Sequence, residues 1–465
     1  MTQNAELPVA VIGAGPVGLA AAARLIERGI EPLVFEKGAS AGAAVLEWGH
    51  VRVFSPWKYN IDDAARVLLE DAGWSKPDPD YHPNGKEIVD GYLAPLSKVP
   101  RIAQGLKLGA TVTAITRKGL SKVGSKNRDA APFVVRYEQD GIEKNVLAVI
   151  DASGTWGQPN PLGVDGLIIP GEGSFSYLSY GIPDVVGARR SEFAGKRTLV
   201  VGSGHSAINV AIALMELQDA DPATEIFWAL RHDGVDCLLG GGLNDKLPER
   251  GALGLAAKQA MEDGRLNMLT SFSADSIMTD GGPTVLAQAG GERIQLSIDQ
   301  IVVTTGFRPD FGFLRELRVE VDPVVEAPPA LAPLIDPNLH SCGTVPPHGV
   351  EELSHPEKDF YIVGMKSYGR APTFLMKTGY EQVRSVVAEI AGDHVAARRV
   401  ELVLPETGVC SVTTTSNTTE AGCCGGPAPA DVDACCVADA VAKDEGKSGC
   451  GCGSKAAPEK VAESV

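Results

Sequence analysis

The sequence predicts an α/β fold with two parallel-sheet nucleotide-binding units, followed by a C-terminal tail that does not fold. Three observations predict it. Residues 9–18 and 198–207 each read as apolar strand, glycine-rich turn and helix. Strands that end in small residues and glycine recur at 149–154, 301–306 and 360–364. From about Glu401 the composition turns to Gly, Ala, Pro, Ser, Thr and charge, which cannot bury enough apolar surface to fold alone.

The first unit opens with strand 9–12, turns at Gly13-Ala-Gly15-Pro16-Val-Gly18, continues as an alanine-rich helix to about Arg28, and adds a second strand, 32–35, ending in Glu36. Gly13 permits the tight turn, Gly15 lets backbone approach a pyrophosphate, and Gly18 allows close helix–strand packing. Pro16 opens the helix, whose N-terminal N–H groups face phosphate oxygens. Glu36 is placed to accept hydrogen bonds from a ribose diol, and Lys37 and Val112 are further cofactor-binding candidates.

The second unit repeats the pattern as Gly202-Ser203-Gly204-His205-Ser206-Ala207. Its next strand, 225–230, ends in Arg231 and His232 instead of an acid. A cation there suits the 2′-phosphate of NADPH, although a solvated strand-end arginine fits the same position. Between and after the turns, residues 149–159 and 301–310 cross from one unit to the other, which places Gly154 and Gly306 near bound cofactor. The strand through Gly364 precedes a helical stretch, 372–391, whose N-terminus is expected to face an electron-accepting ring.

The chain has 465 residues, enough for two or three domains with sizeable cores, and is 44% hydrophobic. Lys and Arg number 42 against 59 acidic residues, a net charge of −17 that argues against nucleic acid or anionic membrane as a main partner. A small-molecule substrate is expected. The N-terminus lacks the basic region of a leader, and the apolar run 7–26 is broken by Gly13, Gly15, Pro16 and Gly18. Together with nine cysteines this predicts a reducing, cytoplasmic setting.

Taken together, GAGPVG, DASGTWGQP, FAGKRTLVVGSGHSA, TTGFRPD and YIVGM with MKTGYEQVRSVV resemble the two-dinucleotide-binding flavoproteins, and within them the flavin-containing monooxygenases, over about residues 7–395. The resemblance implies two Rossmann-like domains: an FAD domain in two parts, 1–160 and 306–400, an NADPH domain at 161–305, and a disordered tail at 401–465. It implies that Gly13, Gly15, Gly18 and Glu36 hold the FAD pyrophosphate and ribose, that Gly154 lines the crossing and that Gly364 approaches the flavin. Gly202, Gly204, Ser206 and Arg231 would hold NADPH. Residues 46–59, rich in aromatic and cationic groups, supply Trp48 and Arg52 as candidate FAD contacts, although an aromatic core cluster with Arg52 on its rim reads equally well. Three departures keep oxygenase and reductase readings open. The Phe-x-Gly-x-x-x-His run of the monooxygenases is missing, no CxxC or CxxxxC pair occurs before the tail, and Met365 stands where reductases of this class carry a ribityl-binding aspartate.

The tail carries Cys423-Cys424, Cys435-Cys436 and Cys450-Gly-Cys452, with Cys410 apart. Adjacent cysteines wrap zinc poorly, whereas a thiolate cluster suits soft ions such as Cu(I), Hg(II) or trivalent arsenic. The stretch beginning CCGGP is similar to tails on proteins of bacterial arsenic-resistance systems. A second reading makes the tail a redox arm that exchanges electrons with the flavin through Cys237 or Cys342; otherwise Cys237 is a loop residue and Cys342 an inert thiol. The expectation is an FAD- and NADPH-dependent oxidoreductase, monooxygenase-like and acting on a soft nucleophile. The alternatives are a reductase that passes electrons to tail thiols and then to a disulfide, metalloid or metal ion, and a thiol-based metalloid-binding protein.

Overall fold

The computed structural model describes residues 7–138, 143–233, 259–279, 282–337, 339, 346–371 and 375–402. All nine cysteines, and with them the tail cluster, Cys237 and Cys342, lie outside the described residues.

Strand β1 (Val9–Ile12) leads through the first glycine turn into helix Pro16–Glu27, and β2 (Pro32–Phe35) and β3 (Leu106–Lys107) follow in parallel. Both β1 and β2 are buried at every position, as strands covered on two faces must be. An antiparallel sheet of β4 (Val112–Arg117), β5 (Phe133–Tyr137) and β6 (Glu143–Val146) comes next, and β7 (Val149–Asp151) returns to pair with β1.

The second unit repeats this plan. β8 (Leu178–Tyr180), β9 (Arg197–Val201), β10 (Glu225–Ala229) and β11 (Asn267–Leu269) are followed by a second antiparallel trio, β12 (Ser273–Met278), β13 (Thr284–Ala289) and β14 (Glu292–Ser297), before β15 (Gln300–Val303) pairs with β9. Finally β16 (Phe360–Ile362) pairs with β7, 149 to 360 and onward, so the last strand joins the first sheet. The orders are β16-β7-β1-β2-β3 and β11-β10-β9-β15-β8, both wholly parallel.

The late helix spans Met376–Ile390 and not the longer 372–391 stretch expected from the sequence, because Leu375 is extended (φ −104, ψ 140) and serves as its N-cap. It packs on helix Pro16–Glu27, their shared core including Leu19, Ala23, Val383 and Val387. Among the described residues no helix is long and apolar enough to cross a membrane.

One buried charge cluster ties the β4–β6 sheet to the segment before β16. Glu357, buried, accepts from Arg117 Nε at 2.8 Å, from Arg128 Nη2 at 2.7 Å and from the Arg318 amide at 2.9 Å. Burial alone would raise this carboxyl, but the hydrogen bonds from Arg128, Arg318 and Arg117 and the Arg117 charge outweigh it and hold it below the usual glutamate range. Stability from Glu357 is therefore complete above the ordinary glutamate pKa and is lost as pH falls through its lowered folded value. Glu357→Gln, which leaves two buried guanidiniums short of a charge partner, is expected to lose about 3 kcal/mol at neutral pH. It should also flatten the acid limb of stability. Urea midpoints measured from neutral to acid pH check both.

Candidate active site

The two glycine turns use their glycines in the same way. Gly13 has φ +97, and a β-carbon there would sit 2.8 Å from the Ala152 carbonyl; Gly202 has φ +139, and one there would sit 2.8 Å from the Thr304 carbonyl. Each first glycine thus lets its turn press against the end of a neighbouring strand. At Gly15 and Gly204, by contrast, a β-carbon would meet no protein atom within 4 Å. Both sit at the N-cap of a helix whose first N–H groups point outward, an arrangement that fits a pyrophosphate.

A cavity of about 660 Å³ opens at the first turn, within the roughly 300–1,000 Å³ of small-molecule and cofactor sites. Gly13, Gly15, Pro16, Glu36, Lys37, Trp48, Arg52, Val112, Gly154 and Gly364 all line it. The sequence assigned all ten to cofactor binding. Glu36 is nearly buried, and its carboxylate is fixed by the Ala14 and Gly38 amides, which donate at 2.7 Å each. Each oxygen keeps a lone pair for a ribose hydroxyl. Trp48 lies flat against Gly85, where a β-carbon would come within 2.8 Å of the indole. Arg52 sits on the rim, its guanidinium bonded to the His82 carbonyl and 5.2 Å over the Tyr81 ring.

From the second turn, His205 and Ser206 reach the same cavity, joined by Asn209 one helical turn on. The His205 ring stands edge-on to Phe54 at 5.4 Å, so the start of helix His205–Ala220 meets the 46–59 segment directly. The first glycine turn and the start of helix His205–Ala220 therefore face one shared space.

Six assigned residues do not line that cavity. Gly18 is inside helix Pro16–Glu27, where a β-carbon would overlap the Gly13 carbonyl oxygen, so its contribution is to packing. Gly202, Ser203 and Gly204 form the second turn ahead of the His205 and Ser206 that reach the cavity, and Arg231 is exposed beyond β10. Gly306 sits in the paired crossing segments, where Asn160 N donates to its carbonyl at 2.9 Å.

Several wall residues were not singled out from the sequence: Ser153, Trp156, Asp310, Phe313, Leu375 and Met376. Trp156 stands in the quoted DASGTWGQP, so the signal was present. Its indole stacks on Phe307 at 4.5 Å and donates to Glu47 at 2.7 Å, linking both crossing segments to the first unit. Behind the wall, Lys366 pairs with Asp151 at 2.7 Å and donates to Ser153 Oγ at 3.1 Å, both charged side chains wholly buried. Among the described residues no group of three or more His, Cys, Asp or Glu is arranged to hold a metal ion.

Residues 7–327 match the sequence profile of the pyridine nucleotide-disulphide oxidoreductases. A ferredoxin–NADP reductase of Ignicoccus hospitalis is 24% identical over 67% of this chain and 81% of that protein. Human flavin-containing monooxygenase 3 is 26% identical over 44% of this chain, which spans only 37% of that relative. Among solved structures, a bacillithiol disulfide reductase from Bacillus cereus superposes with a TM-score of 0.60 at 19% identity, covering 83% of this chain and 99% of that one. A flavin monooxygenase variant from Stenotrophomonas maltophilia gives 0.54 at 20%, covering 83% and 98%. These structural likenesses establish the fold, an α/β arrangement with two Rossmann-type sheets. FAD and NADPH are the cofactors of this class of oxidoreductase, and the two open glycine cradles fit them. The chain belongs to the pyridine nucleotide-disulphide oxidoreductase family.

Proposed function

We propose that the protein is a monooxygenase-like enzyme that consumes NADPH and inserts one oxygen atom into a small soft nucleophile, such as sulfur, nitrogen or a trivalent arsenical. The observation that supports this reading is the shared cavity: the first glycine turn and His205 and Ser206 of the second line one space, next to an apolar wall and large enough for a small diffusible molecule. With a diffusible acceptor the balance is substrate plus O₂, NADPH and a proton giving oxygenated substrate, water and NADP⁺.

FAD, when bound, supplies the two-electron chemistry. The chain supplies position and dryness. Gly15 and the start of helix Pro16–Glu27 hold a pyrophosphate, Glu36 a ribose diol, and Val17, Val45, Val53, Phe54, Leu375 and Met376 form an apolar wall that keeps water out. On the other side His205, Ser206 and Asn209 present the second nucleotide, and exposed Arg231 is assigned its 2′-phosphate. A net charge of −17 disfavours docking of an acidic electron-carrier protein, which sets this reading apart from a ferredoxin reductase.

The test is isotopic. With NADPH, labelled O₂ and a thioether, tertiary amine or trivalent arsenical as probe, label should enter the product one atom per NADPH. NADPH oxidation that ends in free peroxide with every probe would overturn the reading. Seven of nine cysteines fall between Cys410 and Cys452, and this favours a second reading, in which tail thiols relay electrons to a disulfide or metalloid. Truncation after Val409 then abolishes thiol-linked or metalloid-linked NADPH consumption, whereas undiminished turnover removes the tail from catalysis.

A further inference from the structure

Beneath the cavity wall formed by Gly364 and Met365 lies a chain of four buried polar groups. Gly364 N–H donates to Gln382 Oε1 at 2.7 Å. Gln382 Nε2 then donates to Ser367 Oγ at 2.9 Å and faces His348 Nε2 at 2.8 Å, while Ser367 Oγ donates to the Gly364 carbonyl at 2.8 Å. His348 Nδ1 stands 3.1 Å from the Pro346 carbonyl. Gln382 and Ser367 are completely buried and His348 very nearly so.

The proton positions follow from one fixed donor. A backbone amide can only donate, so Gln382 must present its oxygen to Gly364 and its NH₂ to Ser367 and His348. His348 Nε2 must then be the lone pair, which puts the ring proton on Nδ1, where it donates to the Pro346 carbonyl. Every group is satisfied in one protonation state, the neutral imidazole. A second proton, on Nε2, would face the Gln382 NH₂ donor to donor, and rotating that amide would set its NH₂ against the Gly364 N–H.

Gln382 also joins two parts of the cavity wall. It stands on helix Met376–Ile390, whose Met376 lines the cavity, and it grips the turn that presents Gly364 and Met365. Gly364 has φ +69 and packs on Val17, so the turn has little freedom to compensate if the grip is lost. We propose that Gln382 is a positioning residue for the cofactor cavity, and that it holds the Gly364–Met365 wall against helix Met376–Ile390 only while His348 is neutral.

Burial keeps His348 below the ordinary histidine value of 6.5, against the opposing pull of the Pro346 carbonyl and the Glu352 and Glu381 carboxylates. Glu381 is itself held by Arg384 at 2.7 Å, Glu352 by the Gly349 amide at 2.8 Å, and the Tyr368 ring lies 5.6 Å from the imidazole. For a histidine lowered in the folded state, the contribution is complete above 6.5 and is lost as pH falls toward the folded value.

The experiment titrates FAD into apo-protein and reads flavin fluorescence from about pH 8 to about pH 5.5. Parent affinity should stay constant above pH 6.5 and fall below it, by less than about tenfold at the acid end because His348 protonates below the ordinary histidine value. Gln382→Glu should reverse the profile, because its carboxylate accepts from both Gly364 and an imidazolium and is left facing a lone pair when His348 is neutral. His348→Asn, which cannot titrate, should be flat, and it decides the matter if Gln382→Glu fails to fold. Parallel profiles for the parent and the folded variants overturn the proposal. The readout does not depend on whether electrons go to oxygen, and a parent that takes up no FAD would instead refute the cofactor assignment.

Discussion

A Gly15→Ala variant is expected to fold like the parent yet lose FAD affinity by roughly a hundredfold, whereas Gly18→Ala is expected to lose stability. The two positions are three residues apart in one turn. At Gly15 the backbone is extended (φ −77, ψ −173), open to any residue, and a new methyl meets no protein atom within 4 Å. Alanine is a poorer N-cap than glycine, so stability should fall by about 1 kcal/mol at most. The methyl instead occupies space at the mouth of the helix, where a pyrophosphate must approach the N–H groups.

At Gly18 the same methyl collides with the Gly13 carbonyl oxygen and lies 3.0 Å from its carbon. Neither atom can rotate away, because Gly13 is pressed on Ala152 and its amide donates to the Phe35 carbonyl at 2.7 Å. Forcing helix and turn apart in this core should cost roughly 3 kcal/mol or more. Thermal melts of the apo-proteins with FAD titrations separate the two outcomes. Equal loss of melting temperature in both variants would show that the turn does not divide its glycines between binding and packing.

That division also explains what the sequence could show. Spacing identified both glycine turns and Glu36, because strand, turn, helix and acid are local and each has its own residue signature. The crossing segments 149–159 and 301–310 were legible for the same reason. What was not legible depends on contacts between distant residues. The trios β4–β6 and β12–β14 are half-exposed and irregular, with register shifts at Ala114 and Ser276, so their alternation is weak in sequence. Gln382 reads as one polar residue on an amphipathic helix until the fold brings Gly364 and His348 to it, 18 and 34 residues away. The start of the late helix was misplaced by a few residues because no capping side chain marks it; Leu375 makes no cap hydrogen bond.

Lys366 shows the same limit, and its removal should be the most damaging single change to the cavity wall that leaves the glycine turns untouched. Its ammonium is entirely enclosed: Asp151 Oδ2 at 2.7 Å, Ser153 Oγ at 3.1 Å, and the Phe313 ring 4.4 Å from Nζ. On the other side Asp151 Oδ1 accepts from Ser153 Oγ at 2.6 Å and Ser153 N at 3.1 Å, so neither charge has an open face. The pair joins the end of β7 to the turn after β16, directly behind Ser153 and Gly364 of the cavity. Lys366→Met leaves a buried carboxylate without a counter-charge and is expected to lose 3–5 kcal/mol, in the range of about 3–5 for breaking such pairs. Adding Asp151→Asn removes that stranded charge while keeping an acceptor for Ser153. The double variant should therefore be more stable than Lys366→Met alone, a coupling that urea midpoints of the parent, both single variants and the double variant would measure. Additive losses would mean that the two charges are held by their surroundings and not by each other. In that case the wall behind Gly364 would rest on Gln382 and packing, and Lys366→Met should spare FAD affinity at neutral pH.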